Sequence, residues 1–257
     1  MNGARDWKWK ARRHGLALAL LGAVLLHPRP AVAQTPDPPP PPPLREGSAE
    51  FAFVGTSGNA STQTLGLGGE LIYRPAPWVT RFKTAFVRSE ADNALRAQSF
   101  VASLRAERPV ADRVSVYGQY GYQRDTFAGI LHRNAGEGGL AYRALDLPRQ
   151  MLTVDAGLGY ANERRLVGAA LSTATLGTGG LYTLKLSETS AFTEEGRFVF
   201  ALDNGTDWRF SNTAALTASL TSLLSLKLSN AVRHLNLPVA GFERTDVLTS
   251  VALVAKF

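Results

Sequence analysis

Apolar and polar residues alternate along most of the chain. In the stretch that begins at Trp208, the even positions include Phe210 and Leu216, whereas the odd positions include Arg209 and Thr217. Successive side chains of a β-strand point to opposite faces, so a period of two indicates a strand with one apolar and one polar face. The same pattern recurs along 78–88, 113–124, 176–186, 224–233 and the last residues of the chain.

Turn-forming residues divide this alternating region into about twelve strands. Clusters rich in Asp, Asn, Gly and Pro, such as 203–207, separate the runs. The predicted strands are 48–56, 62–73, 78–89, 95–107, 113–124, 133–145, 151–161, 171–186, 191–202, 208–220, 224–236 and 245–257. Many exceed the roughly 5–6 residues usual in soluble sheets and reach the roughly 9–11 that a tilted strand needs to cross a membrane.

Long two-faced strands in an even number predict an all-β fold, a closed antiparallel transmembrane β-barrel of about 12 strands. Closure is required because the bilayer offers no hydrogen bonds to an open sheet edge. In such a barrel the apolar face contacts lipid and the polar face lines the lumen. A soluble β-sandwich, which would bury the apolar faces as a core, is the alternative.

The N-terminal residues have a different composition. Residues 1–33 combine a basic start, an apolar stretch from Gly15 to Leu26 and a small-x-small site at Ala31 to Ala33, which predicts a cleaved secretory signal peptide. The apolar stretch is short for a membrane anchor. Residues 34–47 contain the prolines 38–43 and are predicted to be a proline-rich periplasmic spacer, which leaves 48–257 as the outer-membrane barrel.

The net charge changes once the signal peptide is removed. The whole chain has 28 basic and 21 acidic residues and a formal charge of +7. Residues 1–33 hold six basic residues and one acidic residue, so 22 and 20 remain after cleavage. This near balance removes the argument for a nucleic-acid partner, and none is predicted. The absence of cysteine excludes disulfides and a cysteine nucleophile.

The two ends of the chain together predict a location. An export signal followed by a barrel predicts the cell outer membrane, with outer-membrane lipid as a partner. The chain ends at Phe257 after alternating apolar residues. This ending is similar to the C-terminal assembly signal that outer-membrane barrels present to the barrel-assembly machinery, which is therefore the expected partner during biogenesis.

Several short motifs follow one another in an order that resembles a known family. They are Gly55-Thr56-Ser57-Gly58-Asn59, the segment from Tyr122 to Ile130, and Ala156-Gly157-Leu158-Gly159-Tyr160. Over roughly 48–257 the chain resembles the salt-induced outer-membrane proteins, the domain-of-unknown-function family numbered 481. The proline run and Asn59-Ala60 depart from the family pattern. The resemblance implies a barrel in the outer membrane and no known substrate.

The polar strand faces are predicted to line the lumen with charge. The predicted lumen-lining residues are Arg81, Lys83, Arg105, Arg113, Asp155, Lys185, Arg209, Lys227, Arg233 and Asp246. With Arg197, Lys256, Glu70, Glu107 and Asp203, the predicted set has ten basic and five acidic members. In a water-filled lumen this excess would favour anions. Paired and packed side chains would instead close a narrow barrel, and the sequence leaves both possibilities open.

A second candidate site lies in the loop that follows residue 124. Arg124, Asp125, Phe127 and Arg133 are candidates for a loop constriction, with Asp125 paired to Arg124 or Arg133. The competing interpretation is a tight structural loop whose Phe127 packs on the barrel rim.

Three functions are compatible with this sequence. The favoured one is a narrow channel for small solutes with anion preference, and the alternative is a closed structural or envelope-stress barrel without transport. An outer-membrane lipid-modifying enzyme is the second alternative. Catalysis is not predicted, because His132 and His234 are the only histidines after the signal and neither lies in an H-x-S pattern. No metal or other cofactor is predicted, and the sequence does not specify an oligomeric state.

Overall fold

The computed structural model describes residues 41–56, 62–92 and 94–257. The predicted signal peptide, most of the proline run and residues 57–59 of the first family motif lie outside the described residues. Within the part that is described, no helix is long and apolar enough to cross a membrane.

The described residues form twelve β-strands. They are β1 (Arg45–Thr56), β2 (Thr62–Tyr73), β3 (Val79–Ala91), β4 (Ala94–Pro109), β5 (Val114–Asp125), β6 (Ile130–Asp146), β7 (Gln150–Arg165), β8 (Leu171–Lys185), β9 (Ser190–Ala201), β10 (Trp208–Ser219), β11 (Leu224–Leu235) and β12 (Thr245–Lys256). Each strand pairs antiparallel with its sequence neighbours, and β1 pairs with β12, so the sheet is a closed barrel. The predicted fold is confirmed.

Several strands are longer than the sequence pattern predicts, and the largest extension is at the C-terminal end of β7. The sequence pattern ends β7 at residue 161, but the strand continues to Arg165. The apolar alternation stops before the strand does because the next outward-facing residues, Asn162 and Arg164, are polar. At the N-terminus, β1 begins at Arg45, within the segment predicted to be a spacer.

The barrel has its apolar side chains outside and its small and polar side chains inside. On β7, outward-facing Leu158 is 65% exposed, whereas inward-facing Ala161 is 1% exposed. Other buried strand residues, including Ala141, Thr175 and Ser225, also lie at the alternating positions that face the lumen. An exposed apolar surface of this extent would be unstable in water, so the barrel surface is suited to a lipid environment.

The barrel ends differ in their connections. The described N-terminal residues, Phe257 and the short turns after β2, β4, β6, β8 and β10 lie at one end, which we call the turn end. The described loops after β5, β7, β9 and β11, at 126–129, 166–170, 202–207 and 236–244, lie at the other end, which we call the loop end. The longest of these, 236–244, joins β11 to β12.

The barrel closes where the first and last strands meet. The register of β1 with β12 runs from Ser48 opposite Lys256 to Phe51 opposite Leu253. The seam is extended by two hydrogen bonds between Gly47 and Phe257, of 2.8 and 3.0 Å. The Phe257 ring lies over Gly47 in the space that a Cβ there would occupy. Phe257, predicted as an assembly signal, is therefore the last residue of the closing ladder, and its side chain is 76% exposed.

Glycines allow β6 and β7 to approach closely. Gly139 lies opposite Gly157 in the register, and a Cβ on Gly139 would overlap the carbonyl group of Ala156. Because the obstructing atoms belong to the backbone, they cannot rotate away as a flexible side chain could. A larger residue at position 139 must displace one strand from the other.

We expect Gly139→Ala to destabilise the barrel. Overpacking against backbone costs about 1–3 kcal/mol, which should lower the temperature at which the folded, fast-migrating band converts to the unfolded band in gel electrophoresis. Gly136→Ala is the matched control on the same strand, because no atom lies within 4 Å of a Cβ built there. Equal transition temperatures for the two variants would contradict this account of the β6–β7 contact.

Candidate functional site: the ionic network of the lumen

Strand register places most of the predicted lumen-lining residues on the inward face. Those that alternate inward are Arg81, Lys83, Arg105, Asp155, Lys185, Arg209, Lys227, Arg233 and Asp246. Arg113 is placed differently, because it is an exposed residue of the turn before β5. Its carbonyl oxygen accepts a hydrogen bond of 2.8 Å from the backbone N–H of Arg143.

Five inward-facing residues form a central cluster: Arg105, Tyr117, Glu137, Asp155 and Arg197. Arg197 pairs with Glu137 and, through Nη1, with Asp155 Oδ1 at 3.1 Å. Arg105 Nη1 lies 3.1 Å from the other oxygen of Asp155. The Tyr117 hydroxyl donates to Glu137 Oε1 at 2.5 Å, and the Arg105 guanidinium lies 3.7 Å from the Tyr117 ring centroid. Cations and carboxylates thus alternate along this series of contacts, from Arg105 through Asp155 and Arg197 to Glu137.

Glycines on β7 and β8 provide the room for this cluster. A Cβ on Gly157 would lie 2.6 Å from the Tyr117 hydroxyl, and one on Gly177 would overlap the Glu137 carboxylate. These glycines explain part of the motif Ala156-Gly157-Leu158-Gly159-Tyr160. Its glycines face the lumen, where side chains from other strands lie across them, whereas Leu158 and Tyr160 face outward.

A second group, the upper cluster, lies nearer the loop end and surrounds Glu163. This carboxylate is 4% exposed and contacts Arg165 Nε and Arg209 Nη1, both at 2.6 Å. Arg133 Nη1 lies 3.5 Å away. Asp207, in the loop after β9, lies 3.8–3.9 Å from Arg209 and Arg165. Three guanidinium groups therefore share two carboxylates, and the upper cluster has a formal excess of one positive charge.

Two ion pairs connect opposite walls of the barrel. Lys83 Nζ on β3 lies 2.7 Å from Glu195 Oε2 on β9, and Arg233 Nη1 on β11 lies 2.9 Å from Asp125 Oδ2 on β5. In each case the two strands are six positions apart in the ring of twelve. The side chains therefore cross the lumen at two places and narrow the path between its ends.

Loops from opposite sides also meet at the loop end. Ala128, Ile130 and Val239 are all at most 4% exposed. A Cβ on Gly129 would lie within 3.0 Å of both Phe242 and Val239, and its φ of 72° is a conformation that favours glycine. The loop after β5 is thus packed against the loop after β11, and the two cover part of this opening.

The predicted loop constriction is only partly assembled by these contacts. Asp125 is buried and pairs with Arg233 rather than with Arg124 or Arg133. Arg133 belongs to the upper cluster. Arg124 lies opposite Phe100 on the outward face, and Phe127 is 36% exposed. Alternation accounts for this separation, because Arg124 and Asp125 are consecutive in a strand and point to opposite faces.

The turn end is more open. A cavity of about 460 Å³ is lined by residues that include Glu50, Glu70, Lys227 and Lys256. A second cavity of about 630 Å³ includes Lys185. Lys227 pairs with Glu50 at 2.7 Å, and Arg81 with Glu70 at 3.2 Å. The lumen is therefore accessible from the turn end and lined there with charged groups.

Sequence reasoning missed several acidic residues of the lumen. Glu50, Glu137, Glu163 and Glu195 all face inward and pair with basic residues. The sequence pattern could have identified one of them. Phe51 and Phe53 are exposed on the outer face of β1, so Glu50, which occupies an alternate position, is expected to face inward. These four carboxylates offset most of the predicted basic excess on which the expected anion preference was based.

The two described histidines point away from the lumen. His132 Nδ1 lies 3.0 Å from the Tyr122 hydroxyl, and His234 stacks on Trp208 and lies 2.8 Å from the Thr245 hydroxyl. Neither contacts the central or the upper cluster. Among the residues that are described, no group of three or more His, Cys, Asp or Glu is placed to hold a metal ion.

Comparison with sequence families agrees with the motif resemblance. Residues 49–257 match the sequence model of the family described as "Protein of unknown function, DUF481". The chain belongs to the DUF481 family. No curated protein matches it.

Solved structures similar to this DUF481 barrel include other β-barrels. The NanC porin is 9% identical with a TM-score of 0.46, and the alignment covers 82% of this chain and 97% of the porin. The translocator domain of the autotransporter NalP from Neisseria meningitidis is 13% identical with a TM-score of 0.43, covering 83% of this chain and 87% of that domain. The Pseudomonas putida toluene transporter TodX has 9% identity and a TM-score of 0.37, covering 84% of this chain and 89% of TodX.

We expect Glu163→Gln to destabilise the DUF481 barrel strongly. Removing one member of a buried ionic group typically costs about 3–5 kcal/mol, because the remaining charges lose their compensation. The measurement is the denaturant dependence of the folded fraction, followed by heat-modifiable migration. Glu90→Gln is the control, since Glu90 pairs with Arg88 on the outer face, where both side chains are more exposed than that of Glu163 and such pairs contribute about 0–1 kcal/mol. Comparable losses in both variants would contradict a special role for the upper cluster.

Proposed function

We propose that the protein is an integral barrel of the bacterial outer membrane that acts as a narrow channel for small polar solutes. The observation that carries this proposal is a lumen lined by charged groups from almost every strand. Charges taken out of water are costly unless geometry and hydrogen bonding compensate for them. A barrel with no transport role could be filled with uncharged side chains at lower cost, so a charged lumen is better explained as a hydrated path.

The cross-lumen ion pairs would act as the barrier in this channel. Lys83 and Glu195 have side chains that are 36% and 54% exposed, so water reaches both groups. Ion pairs at this exposure contribute about 0–1 kcal/mol. Such a pair can separate and re-form as a solute passes. The Arg233–Asp125 pair and the loops above it would form a second barrier toward the loop end.

The charge balance favours weak ion selectivity. The two basic residues of the central cluster face Glu137 and Asp155, and Arg105 also pairs with Glu107 at 3.3 Å. The upper cluster, in contrast, has a formal excess of positive charge. Rings of one sign of charge are what give pores strong selectivity. We therefore expect any preference for anions to arise at the upper cluster and to be small.

A closed structural barrel is the second candidate function. It is favoured by the packing of Ala128, Ile130 and Val239 at the loop end, which covers part of the opening. In that case the same ion pairs would stabilise the wall and would not separate. The two functions differ in whether ions cross the barrel.

We expect single-channel recording in planar bilayers to show small discrete conductance steps for the wild type. A Lys83→Ser/Glu195→Ser variant should show larger steps, because it removes both side chains of one cross-lumen pair. An Asp125→Ser/Arg233→Ser variant should open more often, because it removes the pair beneath the packed loops.

The matched control for these recordings is Arg88→Ser/Glu90→Ser. It also removes an ion pair of β3, but one that lies on the outer face, so the conductance should be unchanged. Heat-modifiable migration must first show that each variant is folded. Folded protein that inserts into the bilayer without discrete steps in the wild type or in any variant would overturn the channel proposal in favour of the closed barrel.

A further inference from the structure

A group of basic residues faces outward near the loop end. Arg88 on β3, Arg124 on β5, His132 on β6 and Arg164 on β7 alternate outward, and Arg96 is exposed at the bulge where β4 pairs with β3. We call these five residues the basic collar. His132 lies directly opposite Arg164 in the register, and Arg124 lies on the other side of β6. Arg124 and Arg164 are therefore about two strand spacings, roughly 10 Å, apart.

Most of the collar has no internal counter-charge. Arg88 pairs with Glu90. Among the described residues, no carboxylate forms an ion pair with Arg96, Arg124 or Arg164. This contrasts with the lumen, where the arginines of both clusters have carboxylate partners. These three outward-facing arginines therefore lack a carboxylate partner within the described part of the chain.

The residues below the collar are those of a membrane interface. Tyr122 bonds to His132 at 3.0 Å, and the Tyr120 hydroxyl donates to Asn134 at 2.6 Å. Farther from the loop end, Leu158 and Leu140 are 65% and 57% exposed on the outer surface. Aromatic residues of this kind mark the boundary between the hydrocarbon and headgroup regions. The collar is therefore at the height of the lipid headgroups, directly above surface that acyl chains would cover.

Among the described residues, the collar on β3–β7 has no counterpart on β8–β12. The outward-facing residues nearest the loop end on β8–β12 are Ser172, Phe200, Trp208, His234 and Thr245. These described residues include no arginine or lysine. General attraction to a charged membrane surface would not require such asymmetry, whereas a localised site for a lipid headgroup would.

We propose that the outer face of β4–β7 at the loop end binds the phosphate group of an anionic membrane lipid. Arg124 and Arg164 provide the main contacts, His132 and Asn162 flank them, and the acyl chains lie along Leu158 and Leu140. A guanidinium group matches phosphate geometry with two parallel hydrogen bonds, which a lone lysine cannot do. The occupant is a lipid and not free phosphate, because the site continues without a break into the apolar outer surface.

The test uses the detergent-solubilised folded barrel and dioleoyl phosphatidic acid as the probe. Native mass spectrometry counts the bound lipid as its concentration is raised. We expect Arg124→Ala/Arg164→Ala to weaken binding by at least about tenfold, as the loss of charge-assisted hydrogen bonds implies. Dioleoyl phosphatidylcholine, whose headgroup has no net charge, should bind the wild type no better than it binds this variant.

The matched control is Arg45→Ala/Arg108→Ala, which removes two outward-facing arginines at the turn end. These lie 5.4 Å from the Tyr73 ring centroid and 5.9 Å from the Trp78 ring centroid. This control should bind phosphatidic acid as the wild type does. Equal weakening in both double variants, or none in either, would overturn the proposal. Displacement of the lipid by an equal concentration of inorganic phosphate would overturn its assignment to a lipid. Heat-modifiable migration confirms that each variant is folded.

Discussion

The whole structure depends on satisfying the backbone hydrogen bonds of a sheet whose surroundings offer none. In lipid, every N–H and C=O group of a strand must find its partner within the protein, so the first and last strands have to meet. The direct register of β1 with β12 spans only the four residues from Ser48 to Phe51. The two hydrogen bonds between Gly47 and Phe257 lengthen this ladder. The last residue of the chain is therefore part of the closure itself.

Closure also decides what the interior contains. Since the apolar faces lie outside, the interior holds the polar faces of all twelve strands, and their charges must compensate each other. Glu163 shows how this is done, because its three arginine partners come from β6, β7 and β10. The room for such long side chains comes from glycines on neighbouring strands, such as Gly157 and Gly177. Packing here means fitting charged side chains over glycines.

In the channel that we propose, the same interactions would give the lumen both stability and resistance to passage. An ion pair between opposite walls, such as that of Lys83 with Glu195, ties two distant strands together and also crosses the path of a solute. Its partial exposure keeps it weak, so it can separate without unfolding the wall. Among the described residues, the outward-facing arginines without a carboxylate partner lie near the ends of the barrel, where we propose that lipid headgroups replace the missing carboxylates.

The alternation of residues by itself predicted the fold, the approximate number of strands and the face of most side chains that were assigned to the lumen. It placed Lys83 and Arg233 in the lumen because the orientation of a side chain in a strand is a local property with a period of two. It could not identify their partners, since Lys83 and Glu195 are 112 residues apart and meet only because the sheet closes into a ring. Asp125 pairs with Arg233 for the same reason. Register and circumference, which belong to the tertiary structure, decided which charges pair across the lumen.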